Sequence, residues 1–257
     1  MSSIQINRAA NRRGLTLIEM VVVLTILVAV GSLLVPMVGN GLTRSRVATC
    51  AANIPAINRM LQTQAITNGD FGDGWSTGVF ASDVTGGGKP VNAVALTAAN
   101  GDEPTLVAAA LTPDEVTALQ GLGMTKVYDH GDPTTSDYNV TFNNKPRAET
   151  IGTNTLVITL SNEQARRINL PETTDGKYIW LGIDKTWSHL GDLAAEPPVH
   201  FGDTPGALPH EVYSRFGAIF KIEGGVATFK LVSFNISGDD NFETADNQIK
   251  THWQQVN

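Results

Sequence analysis

The sequence predicts an α+β fold, in which a long N-terminal helix packs on an antiparallel β-sheet head. Three observations predict it. A predominantly apolar run, Leu15 to Val38, with Glu19 its one charged residue, leads into a helical stripe that continues to Ala65. Several strand-like runs follow, and the last two are joined by Gly224-Gly225, a strong hairpin signal. Two capping boxes mark short helices between the strands. A helix with one apolar side and a sheet with one apolar face bury each other, which is the layered arrangement of this class. Three parts follow: a basic leader 1–14, a transmembrane and stalk helix 15–68, and an exported head 69–257.

The leader carries Arg8, Arg12 and Arg13 and no acid. By the positive-inside rule it stays in the cytoplasm and the C-terminal bulk is exported. The 24 residues Leu15–Val38 make about 36 Å of helix, enough to cross a bilayer core of about 30 Å. A secretory signal ends in a cleavage site of small residues. This run ends in Pro36-Met37-Val38-Gly39-Asn40-Gly41, and Ala48-Thr49-Cys50-Ala51 is a poor lipobox too far from the leader.

Glu19 is the odd residue of the run. A carboxylate near a bilayer midplane costs about 2.5–3.5 kcal/mol. About one turn from Leu15, Glu19 lies near the interface, where it costs less, and a snorkelling carboxylate is its ordinary reading. The whole stretch Arg12-Arg13-Gly14-Leu15-Thr16-Leu17-Ile18-Glu19 nevertheless resembles the processing signal of the type IV pilin and type II secretion pseudopilin superfamily. The resemblance covers about the first fifth of the chain. It implies that a prepilin peptidase cuts after Gly14 and that the new N-terminus, Leu15, is methylated. It also implies that the helix assembles into a filament, the Leu15 ammonium pairing with the Glu19 of a neighbouring subunit. The implied fold is pilin-like, with an enlarged helix-containing insertion accounting for the large head. Leu15 departs from the family's usual Phe, and the 14-residue leader is longer than that of many type IVa pilins.

Pro36 lies inside the apolar run. A helix-interior proline costs about 3 kcal/mol. It reads either as a kink near the membrane exit or, by the resemblance, as a segment that melts on assembly. Beyond the membrane, Val47, Ala51, Ile54, Ile57, Leu61 and Ala65 recur at three- and four-residue steps. Pro55 interrupts that stripe and predicts a bend or a restart with Pro55 in a first turn. Asn68-Gly69-Asp70 ends the stalk.

From Phe71 to Glu103 the chain is small and polar and reads as an irregular excursion, with one short strand around Val91–Leu96. Thr112-Pro113-Asp114-Glu115 is a capping box whose helix Gly121 closes. Ser161-Asn162-Glu163-Gln164 opens a second helix that ends before Pro171. Strand-like runs cover Lys126–Asp129, Thr155–Leu160, Tyr178–Ile183, Phe216–Ile222 and Val226–Ile236. Phe242, Ala245, Ile249, Trp253 and Val256 fit one face of a closing helix.

The formal net charge is −7, and removing the leader leaves 15 basic against 25 acidic residues, a formal −10. An acidic head argues against nucleic-acid binding by phosphate neutralisation. With the single cysteine Cys50 no intramolecular disulfide forms, unlike in many type IV pilins, which shifts weight toward pseudopilins. Cys50 reads as a structural residue of the stalk. The histidines His130, His189, His200, His210 and His252 have no metal-ligand spacing, and no nucleophile elbow appears. We expect no catalytic residues and no cofactor. One loop weighs against that expectation. Asp239, Asp240, Asn241, Glu243 and Asp246 cluster the oxygens that calcium prefers. The resemblance adds that some major pseudopilins hold calcium in a C-terminal loop. The alternative, which we prefer, is that these residues cap the closing helix and place acids at its positive end.

Taken together these features read as a structural filament subunit of a pseudopilus or a type IV pilus-like fibre. It would be anchored in the inner membrane, with its N-terminus cytoplasmic and its head periplasmic or, in an assembled fibre, extracellular. The resemblance implies as partners copies of itself or other pilins, a prepilin peptidase/methyltransferase and an inner-membrane assembly platform. Two alternatives remain: a periplasmic enzyme on an uncleaved signal anchor, and a module that binds cargo or a surface. Cleavage after Gly14 separates the first reading from the enzyme.

Overall fold

A computed structural model describes residues 16–80, 107–129, 147–194, 198, 216–235 and 242–243. Within these it describes the backbone alone at 33–44, 46–47, 234–235 and 242–243. The chain divides into two compact units, Met1–Arg44 and Ser45–Asn257.

One helix, α1 (Leu17–Asn68), begins in the first unit and ends in the second. Its Ser45–Asn68 portion buries Cys50, Ile54, Ile57, Leu61 and Gln64. The steps of four, three, four and three residues make one face of an α-helix. Pro55 neither ends nor restarts α1, contrary to the expectation. Its ring is exposed, while Ile54 and Ile57 beside it are buried. Burying two isoleucines contributes about 1.5–3 kcal/mol each, enough to offset a proline's cost of about 3 kcal/mol. The helix also runs through Pro36. It stops at Asn68, with Gly69 in the left-handed region at φ +79° and its N–H donating to Ala65 O.

The sheet contains β1 (Trp75–Ser76), β2 (Val107–Ala110), β3 (Lys126–Asp129), β4 (Arg147–Thr150) and β5 (Leu156–Leu160). It continues with β6 (Gly176–Gly182), β7 (Phe216–Glu223), β8 (Val226–Asn235) and β9 (Phe242–Glu243). The main path is β4-β3-β1-β6-β7-β8-β9, and β5 pairs β6 on one side and β2 on the other. The fold is therefore α+β, as the sequence predicts, but the sheet is mixed rather than wholly antiparallel. Trp75 and Ser76 pair in parallel with Val127 and Tyr128. Two neighbouring strands of the same direction need a crossover between them, and β2 and α2 (Pro113–Gln120) lie in that connection.

Alternation along the strands splits the core in two. Ile179 and Leu181 of β6 join Phe216, Ala218 and Phe220 of β7 beneath the α1 stripe and Leu119 of α2. Tyr178 and Trp180 point the other way, onto Val79, Phe80, Ile158, Leu160 and the Ala165 of α3 (Asn162–Arg167). A period of two places these residues on opposite faces, and helices cover both.

The two local helix signals hold in full. Thr112 and Ser161 are N-caps with reciprocal capping boxes to Glu115 and Gln164. Gly121 is the C-cap that closes α2, as the sequence predicts, in the right-handed conformation at φ −62°. The left-handed residue comes two positions later, Gly123 at φ +88°. The β7–β8 hairpin turns at Gly224 (φ +61°) and Gly225 (φ +75°), and a type I′ turn requires both to be positive.

The expected closing helix does not begin at Phe242, and its other residues, Ala245, Ile249, Trp253 and Val256, lie outside the described residues. Phe242 and Glu243 form β9, paired with Asn235 and Phe234 of β8. The open edge of β8 supplies backbone partners to Phe242 and Glu243. Asp239, Asp240, Asn241 and Asp246 lie outside the described residues, as do Val91–Leu96.

Candidate functional site

The described part of the first unit opens at Thr16. Thr16 N–H donates to Glu19 Oε2 at 2.7 Å, and Thr16 Oγ1–H donates to the same oxygen at 2.9 Å. In return Glu19 N–H donates to Thr16 Oγ1 at 3.4 Å. Thr16-Leu17-Ile18-Glu19 is thus a capping box that satisfies the first orphan donors of α1 and places a carboxylate at its positive end. Thr16 is a residue the sequence reading left without a role. The signal was present, because the same T-x-x-E spacing marks α2. In an apolar run Glu19 drew the attention and its partner three residues earlier did not.

This geometry bears on processing. Gly14 and Leu15 lie outside the described residues. A cut between them leaves the Leu15–Thr16 peptide bond intact, so the Thr16 N–H that binds Glu19 survives it. Both side-chain bonds fall on Oε2, and Oε1 has no partner among the described residues. A carboxylate oriented in this way can accept a further cation on its second oxygen.

Behind the box the helix is apolar all round. Leu17, Ile18, Leu24, Leu27 and Val28 are each more than 60 % exposed, and the large side chains between them are about half exposed or more. A helix apolar on every side is stable only when other apolar matter covers it. Its hydroxyls turn inward to the backbone, Thr25 Oγ1 donating to Val21 O and Ser32 Oγ to Ala29 O, both at 2.8 Å. No helix among the described residues is long and apolar enough to cross a membrane. The described side chains of this stretch stop at Ser32, and the apolar run of the sequence reaches Val38.

The remaining sequence candidates do not gather here. Cys50 is buried on α1 with the stalk stripe. Pro55 is exposed, and only the backbone is described at Pro36. Glu243 sits in β9. Among the described residues no three His, Cys, Asp or Glu side chains come together as metal ligands.

The family described as the prokaryotic N-terminal methylation motif matches residues 9–35. No curated protein and no solved structure matches the chain. The matched stretch contains Gly14, Leu15, Thr16 and Glu19 together. At its N-terminus this chain therefore carries the prokaryotic N-terminal methylation motif, the hallmark of the prepilin-type N-terminus of type IV pilins and pseudopilins.

Proposed function

We propose that this chain is a structural subunit of a type II secretion pseudopilus or a type IV pilus-like filament. The observation that carries the reading is the methylation motif over residues 9–35, with Glu19 inside it on a capped, apolar helix. Prepilin peptidase cuts after Gly14 and the Leu15 amine is methylated. The helix then leaves the inner membrane by exchanging lipid for the helices of neighbouring subunits. The Leu15 ammonium of one subunit meets the Glu19 of the next, so neither charge enters the filament core alone. Assembly draws on an inner-membrane platform and on copies of this chain or other pilins. The leader stays cytoplasmic, and the head lies in the periplasm or outside the cell. The chain acts by position rather than by catalysis, and this reading involves no cofactor.

Shearing or cross-linking of cells that produce the assembly machinery tests the proposal. The chain should be recovered in the filament fraction, and Gly14→Val should abolish its recovery there while leaving uncut protein in the membrane. Wild-type chain that is cut yet never enters a filament would contradict it.

A further inference from the structure

The stalk has an exposed face as regular as its buried one. In the Ser45–Asn68 portion of α1, Ala48, Ala52, Ala56, Arg59, Thr63 and Ile66 are exposed. Steps of four, four, three, four and three residues place them on one side of the helix, away from the buried stripe. Most of these side chains are small, which lets a second surface approach the helix closely. Ile66 is 85 % exposed and gains by being covered. Arg59 is the one charged residue between Val47 and Asn68, and it forms no ion pair among the described residues.

The head has the opposite charge. Residues 20–68 hold Arg44, Arg46 and Arg59 and no acid, whereas residues 69–257 hold 12 basic and 24 acidic residues, a formal −12. Several of the head's cations are already taken by its own acids. Arg147 pairs with Asp129 at 2.9 Å and Arg167 with Glu163 at 2.9 Å. Lys177 pairs with Glu115 at 3.0 Å and Lys221 with Glu223 at 2.7 Å. Asp114, Asp175 and Asp192 remain as exposed carboxylates in no ion pair among the described residues. A lone arginine on the stalk and a surplus of carboxylates on the head are therefore complementary patches of one chain.

We propose that the exposed α1 face centred on Arg59 docks on the acidic head surface of a second copy of this chain. The Arg59 guanidinium takes one of the carboxylates that the head leaves unpaired. Arginine suits this role because it is always charged and meets a carboxylate in a forked, two-bond geometry. The two patches differ, so the contact is head-to-tail and repeats from copy to copy, which generates an open filament rather than a closed pair. The inference rests on the filament reading above and adds the surface by which one stalk meets the next head. A charge pair of this kind fixes register and partner more than raw affinity.

Zero-length carbodiimide cross-linking of the full-length Arg59→Lys variant tests it, in isolated envelopes and in the sheared filament fraction. The reagent activates a carboxylate, and the amine introduced at position 59 attacks it. An amide forms and the activating group leaves as a urea, so only groups in contact are joined. A tagged wild-type copy made in the same cells shows whether the two ends belong to different chains. The expected result is a dimer in which position 59 is joined to a head carboxylate of the tagged copy. Amides from position 59 that stay within one chain overturn the proposal, as does the lack of any dimer through position 59. The dimer in envelopes of cells whose sheared fraction lacks the chain would support this contact and contradict the filament reading. Arg59→Glu supplies the second arm, since an exposed position tolerates the change without loss of the fold. It should reduce recovery in the sheared fraction by about tenfold or more, because like charges then face each other. Arg59→Glu recovered at wild-type yield also overturns the proposal.

Discussion

One oxygen of Glu19 closes the first turn of α1 through Thr16, and under the proposed function the other meets a neighbour's ammonium. Glu19→Ala should still insert and be cut, because losing a charge makes insertion easier. It should be missing from sheared filaments, because it leaves an ammonium unpaired in apolar surroundings. Wild-type filament yield from Glu19→Ala would remove the pairing role. Thr16→Val removes the cap alone, worth about 0.5–2 kcal/mol, and should show as faster amide exchange at residues 17–19. A second carboxylate governs acid stability in the head. Asp73 accepts from Thr125 N–H at 2.9 Å, Thr125 Oγ1–H at 2.7 Å and Lys126 N–H at 2.6 Å. Partial burial pushes its proton affinity up, but these hydrogen bonds to the charged form outweigh burial and hold its pKa below the ordinary carboxylate value. A depressed folded-state pKa means stability that is present above about pH 4 and lost as pH falls below it. Asp73→Asn should therefore lower the melting temperature at pH 7 by an amount that shrinks progressively as pH falls below about 4. A deficit that does not shrink with acidification would show that the charge is not what matters.

Elements set by local chemistry were readable, and elements set by distant partners were not. The caps at Thr112 and Ser161 and the Gly224-Gly225 turn each need only four adjacent residues, and each lies where the sequence places it. Strands β1, β2 and β4 escaped. Trp75-Ser76 is two residues long in a glycine-rich stretch, Val107–Ala110 is mostly alanine, and Arg147–Thr150 is polar and largely exposed. Each exists because another strand offers it hydrogen bonds, which leaves no mark on its own residues. Phe242, expected on a helix face, is paired in β9 for the related reason that the edge of β8 offers it hydrogen bonds. The stalk stripe was legible but slightly rotated: Cys50 and Gln64 are buried, whereas Ala51 and Ala65 are only half-buried. Leu61 is fully buried under the sheet and Ile66 is 85 % exposed on the same helix. Leu61→Ala should destabilise the head by about 2–5 kcal/mol, and Ile66→Ala should stay within about 0.5 kcal/mol. Chemical denaturation of the two variants separates them, and similar losses would mean that the stripe faces elsewhere.

At the scale of the whole molecule the boundary of the folding body differs from the end of the apolar run. The unit that holds the sheet begins at Ser45, and Cys50 within it has no exposed surface. A fragment from Ser45 to Asn257 should fold alone with a cooperative transition. One starting at Asn53 loses Cys50 from the core and should melt at a lower temperature. Equal melting temperatures would place Cys50 outside the body that folds. What the sequence made legible about function is concentrated in residues 9–35, because a peptidase and a filament both read a short local signal. The head carries no comparable signal, since its acidic surface and scattered histidines specify no chemistry by spacing. The account therefore stands on one bond. Mass spectrometry of the chain, isolated from membranes of cells with an active prepilin peptidase, reads that bond directly. The account predicts a mature N-terminus at Leu15 carrying a methyl group; an N-terminus at Met1 with the leader intact would contradict it and leave an uncleaved membrane anchor in its place.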